Sequence, residues 1–413
     1  MQKRIGILGF GREGQSVLRF LKRSQRYKGF EIEILDQKRD KNYLKKLERF
    51  DLIFRSPGIP YNLPALKKAR KAGVEFSSAT KLFFEEYKGK IIGVTGTKGK
   101  GTTSTLIYEI LRSAGKKIML AGNIGTSPLD FLPQQKKYPL AVLELSSFQL
   151  QDLEKSPEVA IVLDVFPDHQ DAHADLKEYY DAKKNIGRWQ KKNDRIFYFM
   201  DNKNSQMVAK KSPAKKNGVD ALSFHTFKIG DLKIPGPHNF RNAVMASVAS
   251  RDLGVSNKTI IKVVKKFKGL PHRLQFVRKL GNTSFYNDSA STNPHTTAAA
   301  LRSFPNKFVT LIAGGKDKQL DYKPLKEALA EKFETDVILF GENKKKIAHA
   351  IRWVVGTRIW MAKDLNEAMS MAYPAKIKEQ IVLFSPAAAS FDMFKNYADR
   401  GEQFTKLVKK LTK

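Results

Sequence analysis

Cysteine is absent from all 413 residues. That excludes disulfides, thiolate metal sites and a thiol nucleophile together, and it fits a reducing, cytoplasmic setting. The sequence also lacks any run of about 18 apolar residues that could cross a bilayer, and the opening MQKRIGILGFGREG has no long apolar leader. Acidic residues are few beside basic ones: 41 Asp and Glu face 75 Lys and Arg, for a formal charge of +34. Such a charge would suit a nucleic acid, an anionic membrane surface or an anionic substrate. The cations are nevertheless dispersed, as in Lys344 to Lys346 and the tail KLVKKLTK, without an RNP-type aromatic pattern, zinc-finger spacing or basic arm. They read as a solvated surface, and no specific nucleic-acid partner is expected. Apolar material is ample, with 41% hydrophobic content including 27 Phe and 13 Tyr, enough for two or three cores.

Strand-like and helix-like runs alternate almost throughout. KRIGIL, EIEIL, DLIFRS, KIIGVTG, AVLELS, AIVLDV, FVTLIAGG, DVILFG, TRIWM and IVLFSP are short and apolar, and helical patterns such as SVLRFLK and a helix from Thr103 fall between them. The alternation predicts an α/β protein of parallel sheets with helices on both faces. Breaks near EEYKGK and GLPHRLQFV divide it into three expected domains, 1–89, 90–271 and 272–413. The stretch from 201 to 233, polar and lysine-rich, reads as a surface excursion of the middle domain.

The segment GVTGTKGKGTTSTLIYEIL, residues 93–111, is a strand, a loop and a helix. Its glycines leave little side-chain bulk, Lys100 adds a point charge, and the helix opens with amides free to meet an anion. Gly96, Thr97, Lys98, Gly99, Lys100, Gly101, Thr102 and Thr103 are therefore candidates to hold a triphosphate. The loop departs from the general GxxxxGK[ST] pattern: Val94 replaces a glycine, and Gly101 stands where a hydroxyl normally reaches magnesium, leaving Thr102 as the nearest substitute. Two further strand ends, LELSSFQL with Glu144 and Ser146 and LDVFPDHQDAH with Asp168, His169, Asp171 and His173, offer the hard carboxylates and imidazoles that a magnesium–nucleotide site uses. Near the N-terminus, Gly9-Phe10-Gly11-Arg12-Glu13-Gly14 follows a strand, and Asp36 closes the next. This is the dinucleotide fingerprint, although the block is about half a dinucleotide domain; a nucleoside diphosphate, a nicotinamide cofactor and a tight turn without ligand all remain open. Ser56, Pro57 and Gly58 in SPGIP form a second loop on the same edge.

Taken in order, GVTGTKGKGTT, AGNIGTSPLD, LELSSFQL, DHQDAH, YYDAKKN, GPHNFRNA, LPHRLQ, NDSASTNP and AGGKDKQLDY resemble the Mur ligase family, ATP-dependent amide ligases of cell-wall precursor synthesis. LELSSFQL and SPAAASFDMFKNYADRGEQF are most similar to the members that add D-glutamate, whereas the GKGT step is more similar to folylpolyglutamate synthases. The resemblance implies a Rossmann-like N-terminal domain for a UDP substrate, a P-loop ATPase-like central domain and a Rossmann-like C-terminal domain for the incoming amino acid. UDP-N-acetylmuramoyl-L-alanine and D-glutamate are the implied substrates, with ATP and two Mg2+ as implied cofactors, and a monomer in the cytoplasm as the implied form. Gly9, Phe10, Gly11, Arg12, Asp36, Ser56, Pro57, Gly58, Asn123 and Ser146 then fall to the UDP substrate. Lys100, Glu144, His169 and Lys183 fall to catalysis, the last as a lysine carbamate with Lys184 as its register competitor; Thr102, Glu144, His169 and Lys183 would hold metal. Asn239, Asn242, Arg273 and Asp288 complete the ATP set, and Thr292, Lys318, Ser390, Phe391 and Tyr397 the D-glutamate set.

Three positions depart from the family pattern: Gly101 in place of Ser or Thr, Ala290 in place of the lysine of NDSKATNP, and Asp164 in place of asparagine. Two other readings remain open beside the D-glutamate ligase. One is a related ligase with another substrate, folate among them; the other is a non-catalytic, polyanion-binding relative favoured by the +34 charge.

Overall fold

The computed structural model describes residues 2–123, 125–167, 173–373 and 379–412. The chain folds into two compact units, Met1–Thr226 with Arg241–Val263, and Phe227–Phe240 with Val264–Lys413.

The first unit holds two parallel sheets. In the N-terminal one, β1 (Arg4–Leu8), β2 (Glu31–Leu35), β3 (Leu52–Arg55) and β4 (Glu75–Ser77) lie in the order β2-β1-β3-β4. Helices α1 (Arg12–Arg23), α2 (Pro64–Lys71) and α3 (Ala79–Glu86) alternate with them. The second sheet has β5 (Lys90–Thr95), β6 (Ile118–Gly122), β7 (Leu140–Glu144), β8 (Val159–Val162), β9 (Arg195–Phe199) and β10 (Lys215–Val219), ordered β10-β9-β8-β5-β7-β6. With β5 at its middle, the residues after Thr95 leave the sheet beside β7 and β8, where a parallel α/β sheet places its ligand. Helices α4 (Lys100–Ser113), α5 (Ser147–Leu150), α6 (Leu176–Arg188), α7 (Lys203–Lys210) and, from Arg241 on, α8 (Pro237–Asp252) complete the central part. One apolar cluster runs continuously from Ile5 and Phe54 of the first sheet through Phe83 and Tyr87 to Met119 and Leu143 of the second. Strands buried on both faces explain why these segments are apolar runs without alternation.

Two expectations are corrected here. The polar 201–233 stretch contributes α7 and the edge strand β10, whose exposed lysines suit an outermost position better than a loop. The helix expected from Thr103 begins at Lys100, because Gly99 at φ +85° turns the chain directly into it.

The second unit carries one mixed sheet of β11 (Gln275–Leu280), β12 (Thr283–Asn287), β13 (Phe308–Gly314), β14 (Thr335–Phe340), β15 (Thr357–Met361) and β16 (Gln380–Phe384), ordered β11-β12-β16-β13-β14-β15. The expectation of parallel sheets fails at β11, which pairs antiparallel with β12 across the Gly281 turn. A short connection returns the chain directly beside the strand it has left, whereas a parallel pair needs a crossover. On one face Phe384 stacks on Phe404 with centroids 4.6 Å apart, beside Phe340. Among the described residues no helix is long and apolar enough to cross a membrane.

Asp288, just past β12, ties three segments together: it accepts from Leu274 N at 3.0 Å, Ser291 Oγ at 2.5 Å and Ser385 Oγ at 2.7 Å. Burial outweighs these bonds and pushes its carboxyl from the usual 3.8 up to about 6. The folded unit therefore holds the extra proton, so this group's stabilising contribution is complete below about pH 4 and is lost as pH rises through about 6. Urea unfolding should show the gap between Asp288→Asn and the parent moving in the variant's favour by about 1 kcal/mol between pH 5 and 7.5; a pH-independent gap would contradict the account. Phe384→Ala should cost the second unit about 3–5 kcal/mol by the same measurement.

Candidate active site

The phosphate loop is shaped by two glycines that no other residue replaces. A Cβ on Gly99 would stand 2.2 Å from Asn242 Oδ1, and one on Gly96 would meet Leu163 Cβ at 2.7 Å, both at positive φ. Their absence of side chain lets Asn242, a candidate for ATP, lie against the loop. Gly99 begins α4 without a side-chain cap, so the helix presents its first amides to a ligand. Thr97 is held by its amide to Asp164 O and by its hydroxyl to Phe166 and Tyr179. Lys98 is exposed, Thr102 half-buried, and Gly101 and Thr103 are buried in the helix.

Lys183, unlike Lys184, faces the loop. It is 1% exposed on the inner face of α6, donates to Gly96 O at 2.9 Å and lies over the Tyr179 ring. Lys184 instead pairs with Asp181 at 2.7 Å. Lys100 converges on the same place, donating to Gly96 O at 3.1 Å and Thr97 O at 2.9 Å. Glu144, at the end of β7 and in register with Val94, is buried and accepts from Asn123 Nδ2 at 2.8 Å. A buried carboxylate and a hydroxyl-rich helix start offer oxygen ligands of the kind magnesium takes, and the lysine beside them offers charge to a phosphate. Among the described residues no three His, Asp or Glu side chains cluster as a metal site; Asp168, His169 and Asp171 lie outside them. His173 is described and buried, stacked on Phe148 and bonded to Ser147.

The two N-terminal loops meet. Ser56 Oγ donates to Gly9 O at 2.7 Å, and Gly14 is required because a Cβ there would sit 2.2 Å from Gly9 O. Asp36 accepts from Phe10 N at 2.6 Å and Lys38 N at 2.9 Å, which holds its carboxyl below the usual range. It thus braces the glycine loop. Arg12 reaches the carbonyls of Gly122, Asn123 and Gly125, so two residues expected to share the UDP substrate, Arg12 and Asn123, are brought together. Gly11, Pro57 and Gly58 remain on the rim, and Ser146 is engaged as the N-cap of α5, in a capping box with Gln149.

In the second unit the loops after β12, β13 and β16 assemble a separate cluster. Lys316 pairs with Ala389, which sets the Lys318 loop against Ser390. Thr292 is half-buried, Ser390 buried, and Lys318, Phe391 and Tyr397 exposed. Asn239 donates to Pro235 O at 2.7 Å, Arg273 is exposed and Asp288 buried. The sequence reading missed Arg400: fully buried, it donates to the carbonyls of Ser289, Ala388 and Ala389, and burial pushes its pKa down to about 10. No local pattern singles out one arginine among so many cations. It also missed Tyr179, although its place four residues before Lys183 puts both on one helix face. The departure at Asp164 has a partner in this chain, since Arg241 grips it bidentately and holds Asp201 as well.

Comparison with known proteins identifies the family. The Mur ligase middle domain matches residues 94–250, and the Mur ligase, glutamate ligase domain matches residues 272–388. The UDP-N-acetylmuramoylalanine–D-glutamate ligase of Acetivibrio thermocellus is 38% identical, over 93% of this chain and 87% of its own. Its counterpart in Clostridium novyi is 36% identical, over 90% and 85%. The crystal structure of UDP-N-acetylmuramate–alanine ligase from Thermotoga maritima shares the fold, with a TM-score of 0.59 at 18% identity and 99% of each chain covered. On the strength of both domain matches and of relatives aligned over most of their length, the chain belongs to the Mur ligase family.

Proposed function

We propose that the protein joins D-glutamate to UDP-N-acetylmuramoyl-L-alanine at the expense of ATP, a step of peptidoglycan precursor synthesis. The observation that carries the reading is the convergence of Lys100 and Lys183 on one loop carbonyl beside the buried Glu144, at the start of α4. The relatives named for this reaction are similar over nearly the whole chain, which favours it over a folate substrate and over a non-catalytic relative.

The carboxylate of the alanyl substrate attacks the γ-phosphorus of ATP and ADP leaves; the amine of D-glutamate then attacks the acyl phosphate and phosphate departs. Activation is required because a carboxylate is a poor electrophile. Lys100 and the amides opening α4 offset charge on the transferring phosphoryl group. Glu144, Thr102, His169 and Lys183 would hold magnesium, which supplies further charge neutralisation there. Gly9, Arg12, Asp36, Ser56 and Asn123 bind or orient the uridyl substrate. Thr292, Lys318, Ser390, Phe391 and Tyr397 take the glutamate, and Asn239, Asn242, Arg273 and Asp288 the adenosine and phosphates. The three domains 1–89, 90–271 and 272–413 divide these tasks, and a cytoplasmic monomer is the form in which the enzyme works.

Lys183 bears a carbamate in the active state on this reading. Carbon dioxide on the neutral amine would turn a cation into an anion beside the metal, so bicarbonate should raise activity and 13C-bicarbonate should give a carbamate resonance that Lys183→Met lacks. The same signal in Lys183→Met, or indifference to bicarbonate, would count against the modification.

The central test measures ADP release with magnesium–ATP and UDP-N-acetylmuramoyl-L-alanine. Release should require D-glutamate, fail with L-glutamate, L-lysine or no amino acid, and yield a product heavier by one glutamyl residue. Lys100→Ala should lose about 100-fold or more in kcat. Undiminished turnover in that variant would reject the assignment of the loop, and silence with every amino acid would reject the reaction.

A further inference from the structure

Helix α6 touches two places that the proposed reaction treats separately. Tyr179 and Lys183 on its inner face bind the phosphate loop, at Thr97 Oγ1 and Gly96 O. One residue before Tyr179, the two carboxylate oxygens of Glu178 divide their work. Oε2 accepts from Ala174 N at 2.6 Å and so serves the start of its own helix, beside the Asp175 cap. Oε1 has no helical duty: it accepts from Asn62 Nδ2 at 2.5 Å and from Gln151 Nε2. Asn62 lies just past the SPGIP loop, the strip of the N-terminal sheet whose Ser56 bonds Gly9. Arg55, buried at the end of β3, pins the same strip by donating to Ile59 O and to Phe148 O of α5.

We infer that Glu178 is a positioning residue which couples occupancy of the uridyl-substrate loop to the phosphate loop; the inference rests on the function proposed above. The physical route is short. A helix rises about 1.5 Å per residue and its packed core is stiff. A shift imposed on Glu178 by the strip therefore reaches Tyr179 and Lys183 within one and a half turns, and both deliver it to the loop that holds the triphosphate. A uridyl substrate that settles the strip favours one placement of α6, and by linkage the nucleotide must favour the uridyl substrate by the same factor. The sequence pattern alone offers no hint of this, since Asn62 and Glu178 are 116 residues apart.

The experiment is calorimetric binding of magnesium–AMP-PNP with and without UDP-N-acetylmuramoyl-L-alanine, in the parent, Asn62→Ala, Glu178→Ala, Glu178→Gln and the Asn62→Ala/Glu178→Ala double variant. In the parent the uridyl substrate should tighten nucleotide binding by about five- to tenfold. Asn62→Ala, remote from the nucleotide, should reduce that factor to about one with its melting temperature preserved, and the double variant should be no worse than Glu178→Ala. Glu178→Gln, which keeps an oxygen for Asn62 and guards against an unfolded alanine variant, should retain most of the coupling. Coupling unchanged in Asn62→Ala, additive losses in the double variant, or a parent that binds both ligands independently would each overturn the inference. A parent that fails to bind the uridyl substrate, or releases no ADP with the full substrate set, would instead overturn the function on which the inference rests.

Discussion

One carbonyl oxygen organises the first unit. Gly96 O receives Lys100 from the first turn of α4 and Lys183 from the middle of α6, at 3.1 and 2.9 Å. The Lys100 ammonium brings positive charge to the loop; a pair of unit charges at 4 Å is worth about 4 kcal/mol at an effective dielectric of 20. The arrangement requires that Gly96 and Gly99 adopt positive φ, that Asn242 press against Gly99, and that Thr97 be fixed from both sides by Asp164 and Tyr179. Strand β5, helix α4 and helix α6 thus meet at a point where backbone geometry, more than side-chain chemistry, sets the site.

Around that point the N-terminal sheet is fastened to the central one by polar contacts as well as a shared core. Arg19 holds Asp130, Gln149 donates to Glu13, Lys81 pairs with Glu154 and Arg12 caps the carbonyls of the loop after β6. Exposed ion pairs contribute little to stability singly. Their value here is orientation; Arg12, just past the glycine loop, reaches the loop bearing Asn123, whose side-chain amide in turn donates to Glu144. In the second unit buried Arg400 plays the corresponding part, binding the carbonyls of the Ser289 and Ala389 loops in place of a carboxylate. It sets a cation beneath the loop in which Ala290 replaces the usual lysine, although nothing in the structure makes the two equivalent.

Much of this was legible in the sequence for identifiable reasons. Glycines at fixed offsets after apolar runs announce strand–loop–helix junctions because few other residues fit them, and those at Gly9, Gly14, Gly96 and Gly99 lie where a Cβ would collide or φ is positive. The alternation of runs marked out three sheets. What escaped was written in no local pattern: β10 is lysine-rich because it is an edge, β11 runs antiparallel because its turn is short, and Ser146 is spent partly on capping α5. Asp36, whose spacing marks it for a ribose, also braces the Phe10 amide.

By itself, then, the sequence determined the α/β class and the glycine-rich strand–loop–helix segment at residues 93–111, because each depends on residues within a few positions of one another; the order of tasks along the chain is only what the family resemblance implies. Tertiary structure alone decided which of Lys183 and Lys184 faces the loop, that Arg12 and Asn123 meet, that Asp164 is matched by Arg241, and that Asn62 holds Glu178. These depend on where separate strands end in space. Local propensity carries no information about that; packing in three dimensions does.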